Sequence, residues 1–139
     1  MPLRVHAGVA MIIARSTYEY VQRPGRLVVD PFEDLDTDAF SVRVVKLDGN
    51  QRRTPHLHPE SQEVIFVVRG EGMLWEDGKT QRFVEGDCAL VDTGDPHATV
   101  PDTGTKMELV CFFAHPDLPA NTRELPDISV PASERPEVP

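Results

Sequence analysis

Short runs of alternating apolar and polar residues recur along this chain, and no segment keeps apolar residues at the three- and four-residue spacing of a helix. Runs of this length at regular intervals are typical of an all-β barrel or sandwich. The predicted strands are Val9–Ala14, Phe40–Leu47, Glu63–Arg69, Gly72–Glu76, Gln81–Val84, Cys88–Val91, Ala98–Val100 and Met107–Phe113.

Turn residues separate these strands. Asp77-Gly78 is the clearest turn, because this dipeptide supplies the two positive φ angles of a two-residue hairpin turn. The acidic stretch Asp30–Asp38, which contains Pro31, predicts a loop before the strand that starts at Phe40.

Prolines are concentrated near the C-terminal end. Of the 13 prolines, six lie from Pro116 to Pro139, and each removes a backbone donor and fixes one dihedral angle. This segment cannot form central strands, so we expect it to be disordered, or to lie extended over the barrel or over a neighbouring subunit. The sequence therefore predicts one domain, with residues 1–115 in the barrel, including an extended N-terminal strand, and residues 116–139 in a proline-rich extended tail.

Charge narrows the classes of partner. The formal net charge is −9, from 14 basic and 23 acidic residues, and this charge repels a phosphate backbone or an anionic membrane. We therefore expect neither a nucleic-acid partner nor a membrane. Arg52-Arg53 is interpreted as a solvated turn, with a role in binding an anionic small molecule as the alternative. Cys88 and Cys111 lie in apolar runs without CxxC spacing, which predicts buried strand residues in a reducing compartment, the cytoplasm.

His56 and His58 are two residues apart, so in a strand both imidazoles leave the same face of the sheet. Glu63 is an odd number of residues beyond His58, and an uninterrupted strand would aim it at the opposite face. Pro59 supplies a break between them, because it interrupts the ladder and lets the next strand start with Glu63 inward. His97, on a separate strand, is the predicted fourth ligand.

Three imidazoles and one carboxylate suit a divalent ion of Fe, Mn, Ni, Cu or Zn, and disfavour Mg or Ca. Octahedral coordination by four ligands leaves two positions open for substrate and dioxygen, or for substrate and water. Glu60 is an alternative to Glu63 as ligand, or an outer base. Cys88 is expected to point into the barrel as small apolar filler, with a nucleophile as the alternative. His6 and His115 are interpreted as surface residues.

The chain also resembles the cupins, a family of small barrels with two conserved motifs. The first motif is matched by Gly49, His56-Leu57-His58, Glu63 and Gly70 within residues 49–70, with one extra residue after Gly49. The second is matched by Gly86, Gly94 and His97 within residues 86–101, although Asp92 and Pro101 replace its usual proline and asparagine. The resemblance implies a jelly-roll barrel with a metal in its mouth, held by the same three histidines and glutamate.

The expected function is that of a metal-dependent enzyme acting on a small organic molecule, most plausibly a dioxygenase-type oxygenase in which Glu63 is both ligand and proton acceptor. A non-redox lyase or isomerase would use the same residues, and a ligand-binding or sensor barrel without turnover is a third alternative. The nearly uncharged run Val9–Ala14 is a poor exposed edge. We therefore expect a homodimer in which this strand, or the tail, packs on the partner's sheet.

Overall fold

The computed structural model describes residues 3–4 and 10–137 of the chain. In these residues every regular element except one 3₁₀ turn is a β-strand, which confirms the predicted all-β class. The elements in chain order are β1 (Leu3–Arg4), the 3₁₀ turn (Arg15–Thr17), β2 (Val21–Arg23), β3 (Arg26–Val29), β4 (Leu35–Asp36), β5 (Ser41–Asp48), β6 (His56–Leu57), β7 (Glu63–Arg69), β8 (Glu71–Glu76), β9 (Lys79–Val84), β10 (Cys88–Val91), β11 (His97–Pro101), β12 (Lys106–Phe113) and β13 (Arg123–Glu124). Within the same residues, no helix has the length and apolar character that a membrane span requires.

Two antiparallel sheets form the barrel. The six-stranded sheet has the order β10-β7-β12-β5-β3-β2, and the five-stranded sheet has the order β13-β6-β11-β8-β9. Strands that follow each other in the chain repeatedly lie in different sheets, so the chain crosses between them as in a jelly roll. Strands β1 and β4 form a separate parallel pair.

The core lies between the two sheets, because alternate residues of each strand point inward. In β7, Ile65 and Val67 are buried whereas Phe66 between them is 42% exposed. Strand β12 follows the same rule, and the five-stranded sheet adds Leu74 and Phe83 from β8 and β9. One face of each sheet therefore packs in the core.

Several predicted features are present. Strands β7 and β10 have the predicted bounds, and Asp77 and Gly78 both have positive φ, at 46° and 87°. The predicted N-terminal strand Val9–Ala14 is not formed over residues 10–14, and Val9 lies outside the described residues. The Asp30–Asp38 loop also contains the short strand β4, which pairs with β1.

Cys88 is exposed, so the prediction that it points into the barrel is wrong. It pairs with Phe66 across the β10–β7 ladder, and both side chains lie on the outer face. Ala89 and Val91 take the inward positions of β10, and Val91 is buried in the core. The inward and outward alternation of β10 is therefore shifted by one residue from the one expected after the Gly86 turn. Cys111, on β12, is buried as predicted.

The C-terminal segment lies along the five-stranded sheet. Strand β13 extends this sheet by pairing with β6, and Ser133 forms a parallel bridge with Asp102. The Asp102 carboxylate accepts hydrogen bonds from Ser133 Oγ at 2.7 Å and from both terminal nitrogens of Arg82 at 2.8 and 3.0 Å. These bonds hold the segment onto the barrel at a second point.

Candidate metal centre

The four residues predicted as ligands meet at one point in the barrel. His56, His58, Glu63 and His97 are all buried, and each offers a ligand atom within 4.8 Å of the others. The three imidazole rings also contact one another. The ring centroids of His56 and His97 are 4.6 Å apart, and those of His56 and His58 are 5.0 Å apart. The described residues thus bring the predicted set together.

Strand pairing explains how residues far apart in the chain converge. His56 on β6 is directly opposite His97 on β11 in the five-stranded sheet. Glu63 begins β7 in the facing sheet, after a turn over residues 59–62 that supplies the predicted break. His58 follows β6, and its carbonyl oxygen accepts a hydrogen bond from the Gly94 N–H at 2.8 Å. This bond ties the first histidine pair to the turn that precedes His97.

Hydrogen bonds to the main chain set the tautomers of two histidines. His58 Nδ1 lies 2.8 Å from the carbonyl oxygen of Asn121, and His97 Nδ1 lies 2.9 Å from that of Asp95. Because a carbonyl oxygen only accepts, each Nδ1 carries the proton and each Nε2 presents a lone pair when the ring is neutral. These Nε2 atoms lie 3.2 Å (His58) and 2.6 Å (His97) from the same oxygen, Oε1 of Glu63.

The electrostatics favour an ionised carboxylate. Burial opposes ionisation of Glu63, but its interactions with the nearby His58 and His97 rings outweigh burial and hold its pKa below the ordinary value. For His97, burial lowers the pKa. The hydrogen bond to Glu63 and the charge of Glu63 raise the pKa by more than burial lowers it, so the net shift is upward. Burial, together with the charge of His97, holds the pKa of His56 well below its ordinary value. These shifts favour a proton shared between His97 Nε2 and Glu63 Oε1, which lie 2.6 Å apart.

The residues fit one divalent metal ion. His58 Nε2 and His56 Nδ1 are buried without a hydrogen-bond partner, and a buried polar atom left unpaired is costly. A cation among the four side chains would be coordinated by the lone pairs of the histidine nitrogens and would balance the Glu63 charge. Three nitrogens and one carboxylate oxygen form a donor set of the kind that binds Fe, Mn, Ni, Cu or Zn.

Asn121, a residue of the C-terminal segment, supports this cluster. It is fully buried. Its main-chain oxygen bonds His58, its Oδ1 accepts from the Glu60 N–H at 2.8 Å, and its Nδ2 donates to Ser61 Oγ at 2.8 Å. Asn121 therefore fixes both a ligand and the turn that joins two ligands. No local pattern in the proline-rich tail marks this residue.

The other ionisable candidates lie outside the cluster. The Glu60 side chain is 64% exposed and bonds His115 Nε2 at 2.8 Å, away from the four grouped side chains. His115 is itself partly buried, and His6 lies outside the described residues. The Cys111 thiol is buried near Glu63, and burial first, then the Glu63 charge, raises its pKa well above the ordinary value. Cys111 is therefore a neutral wall residue and not a thiolate.

A cavity of about 600 Å³ opens onto the cluster. All four grouped side chains line it, together with apolar side chains of β5, β7 and β12 such as Val45, Ile65 and Leu109. A volume of this size suits a small organic molecule.

Arg53 also lines the cavity and is only 5% exposed, so the interpretation of Arg52-Arg53 as a solvated turn is wrong for Arg53. Arg52 is exposed as expected. The Arg53 side chain turns inward because Nε donates to the Thr99 carbonyl oxygen at 3.0 Å and Nη1 to that of Pro24 at 3.4 Å. Burial lowers the Arg53 pKa to about 10, so this residue stays charged at neutral pH.

Comparison with known proteins agrees with the fold. A family model described as "Cupin domain" matches residues 43–113. No curated protein sequence matches the chain significantly.

Solved structures supply the remaining likenesses. The nucleoside dehydratase Pac13 from Streptomyces superposes with a TM-score of 0.67 at 16% identity, over 84% of this chain and 92% of that chain. The polyketide cyclase RemF from Streptomyces resistomycificus gives 0.66 at 19% identity, over 84% and 86%. Salicylate 1,2-dioxygenase from Pseudoaminobacter salicylatoxidans, in complex with gentisate, gives 0.62 at 19% identity, over 73% of this chain and 30% of that chain. At these identities the likeness concerns the fold.

Proposed function

The chain belongs to the cupin domain family, and from this premise we propose that it is a metal-dependent enzyme of the oxygenase type that acts on a small organic molecule. One observation carries the proposal: four buried side chains with the donor set of a transition-metal site line a cavity large enough for such a molecule. A buried site with ionisable groups at a cavity wall is the usual arrangement of an active site.

In this proposal His56, His58, Glu63 and His97 hold one divalent ion. When bound, such an ion supplies Lewis-acid chemistry and, if it is iron, copper or manganese, redox chemistry. The protein contributes orientation, because main-chain carbonyls of Asn121 and Asp95 fix two of the imidazoles. Glu63, ionised in the site, serves as ligand and as proton acceptor. The apolar walls exclude water from the reacting atoms.

Oxygenase chemistry is the first hypothesis because the donor set suits redox-active metals and would leave positions for substrate and dioxygen, and salicylate 1,2-dioxygenase is one neighbour with this fold. The dehydratase and the cyclase share the same fold, which supports keeping the non-redox reaction as the alternative. A fold hosts many reactions, so measurement has to separate the two.

The deciding experiment combines elemental analysis of the purified protein with oxygen consumption on a panel of small carboxylic acids and phenols. We expect close to one equivalent of a redox-active metal and oxygen uptake with a subset of the panel, both absent in His56→Ala. Substrate conversion without oxygen uptake would replace the oxygenase by a lyase or isomerase. Saturable binding without conversion would indicate a sensor. Metal-free protein that turns over substrate would contradict the whole proposal.

We also propose a cytoplasmic homodimer. Both cysteines are unpaired, which suits a reducing compartment. Three large apolar side chains on the outer face of the six-stranded sheet, Phe66, Leu90 and Phe112, are 40 to 61% exposed, and an exposed apolar face supports an interface between copies. Light scattering of the intact chain at micromolar concentration should give twice the monomer mass. A clean monomer would contradict the dimer.

A further inference from the structure

Three buried or half-buried arginines line the cavity, and Arg53 differs from the other two in its pairing. Arg26 is ion-paired with Glu124 at 2.8 Å, and Arg43 with Asp30 at 3.0 Å. Among the described residues, no carboxylate lies within 4.0 Å of the Arg53 guanidinium, although this residue is the most buried of the three. A buried charge without a counter-ion is unfavourable. An anion in the cavity would remove this cost.

The guanidinium is also held in one orientation. Its Nε and Nη1 donate to the carbonyl oxygens of Thr99 and Pro24. Nη2 makes no hydrogen bond to the described part of the chain, so it and the remaining Nη1 hydrogen are free to donate. Two parallel N–H donors of one guanidinium match the two oxygens of a carboxylate.

This fork lies in the wall that carries the metal ligands. Thr99 is two residues beyond His97 on β11, on the same face of the strand, and Arg53 precedes His56 by three residues. Glu124 and Glu63 attract Arg53 from a distance, but Glu124 is paired with Arg26 and Glu63 with His58 and His97, so neither is in contact with the Arg53 guanidinium. Arg23, Glu19 and Glu33 are solvent-exposed, where water and salt screen them.

We propose that the substrate is a small organic carboxylate whose carboxylate group is bound by Arg53 while its organic body occupies the apolar part of the cavity beside the metal ligands. This rests on the proposed function for the neighbouring metal. A divalent ion with Glu63 would leave net positive charge in the same wall of the cavity, which would add to the attraction of an anion. Arg53 is thus a binding residue that decides substrate charge.

The test uses benzoate and its neutral isostere benzamide as probes, with binding measured by calorimetry on the protein as purified and after chelator treatment. The variants are Arg53→Gln, Arg53→Lys and the matched control Arg52→Gln, which removes the same charge from the exposed neighbour. We expect Arg53→Gln to weaken benzoate binding by about 10- to 100-fold, the worth of a charge-assisted hydrogen-bonded pair, and to leave benzamide within about threefold. Arg52→Gln should bind both probes like the natural chain.

Metal content of each variant separates this inference from the proposed function. Benzoate preference that depends on Arg53 in a protein without metal would support the carboxylate site and contradict the metal enzyme. Stoichiometric metal with equal binding of benzoate and benzamide, or with a preference unchanged in Arg53→Gln, would overturn the carboxylate site alone. If Arg53→Gln does not fold, Arg53→Lys decides. This variant keeps the charge but loses the fork, and benzoate affinity equal to that of the natural chain would overturn the proposal.

Discussion

Replacing Asn121 with Ala should loosen the metal centre without removing any ligand. The side chain makes two hydrogen bonds, to the Glu60 N–H and to Ser61 Oγ, and both partners lie in the turn between His58 and Glu63. The main-chain oxygen of Asn121, which orients His58, stays in the variant. Its position is held less firmly, however, because the side chain links this segment to the turn and only the neighbouring pairing of β13 with β6 remains.

The expected cost follows from these contacts. Each of the two lost hydrogen bonds costs about 1 kcal/mol where water can reach the partner, and about 2 kcal/mol where the partner stays buried and unpaired. Since Asn121 is fully buried, water cannot readily replace both bonds, and the sum is about 2–4 kcal/mol. For a chain of this size, that loss lowers Tm by about 10 °C. Loss of support behind a ligand typically weakens metal binding by about 10- to 100-fold.

The assay measures Tm and metal Kd for Asn121→Ala, Ser61→Ala and the double variant. Tm is taken both after chelator treatment and with metal, because bound metal itself adds stability. Ser61→Ala removes only one of the two bonds. The double-mutant cycle should therefore give a coupling energy of about 1 kcal/mol between the two side chains.

A particular result would refute this reasoning. If Asn121→Ala kept the Tm within about 1 °C, well inside the shift expected for a single lost hydrogen bond, and bound metal as tightly as the natural chain, the segment would not support the site. A lowered Tm with unchanged metal affinity would mean that Asn121 stabilises the fold and does not position His58.

His97→Ala should lose its metal and melt at a lower temperature, whereas the control His115→Gln, outside the cluster, should keep one equivalent by elemental analysis. Metal affinity should fall on acidification, because a proton on His97, whose pKa is raised, competes with the ion until the pH exceeds the His97 pKa. Equal metal Kd values at pH 5 and 7.5 from equilibrium dialysis would contradict imidazole ligation. The hydrogen bond and charge of Arg82 hold the Asp102 pKa below its ordinary 3.8. The stability that this pair contributes is thus present above that value and lost as pH falls through the folded pKa. Urea unfolding should show Asp102→Asn less stable than the natural chain at pH 6 and the difference shrinking at pH 3; a constant difference would refute the linkage.

The parts of the molecule that the sequence predicted are those set by local patterns. The alternation in Glu63–Arg69 gives both the bounds of β7 and its inward face, and Asp77-Gly78 forms the expected hairpin turn with two positive φ angles. The spacing of His56 and His58, with the break at Pro59, predicted that Glu63 would face the same site, whereas His97 was identified on a separate strand and by the second cupin motif.

What the sequence did not reveal depends on distant contacts. Arg53 looks like half of a charged surface pair, and only the carbonyl oxygens of Thr99 and Pro24 draw it inward. Asn121 lies in a segment whose prolines indicate an extended chain but not its destination. The direction of Cys88 depended on one residue of register, which a glycine turn alone does not define.

Asn121 follows all four clustered residues in the chain, so it is synthesised after them. A ribosome adds residues from the N-terminus, so all four clustered side chains emerge before the carbonyl group that orients His58. A chain folded as far as β12, in which the segment from Asn121 to β13 has not yet docked on β6, would therefore have the His58 ring free to rotate. Metal captured at that stage would be held loosely and exchanged readily. Docking of the segment that carries Asn121 would then make the site more retentive, because it fixes the His58 ring.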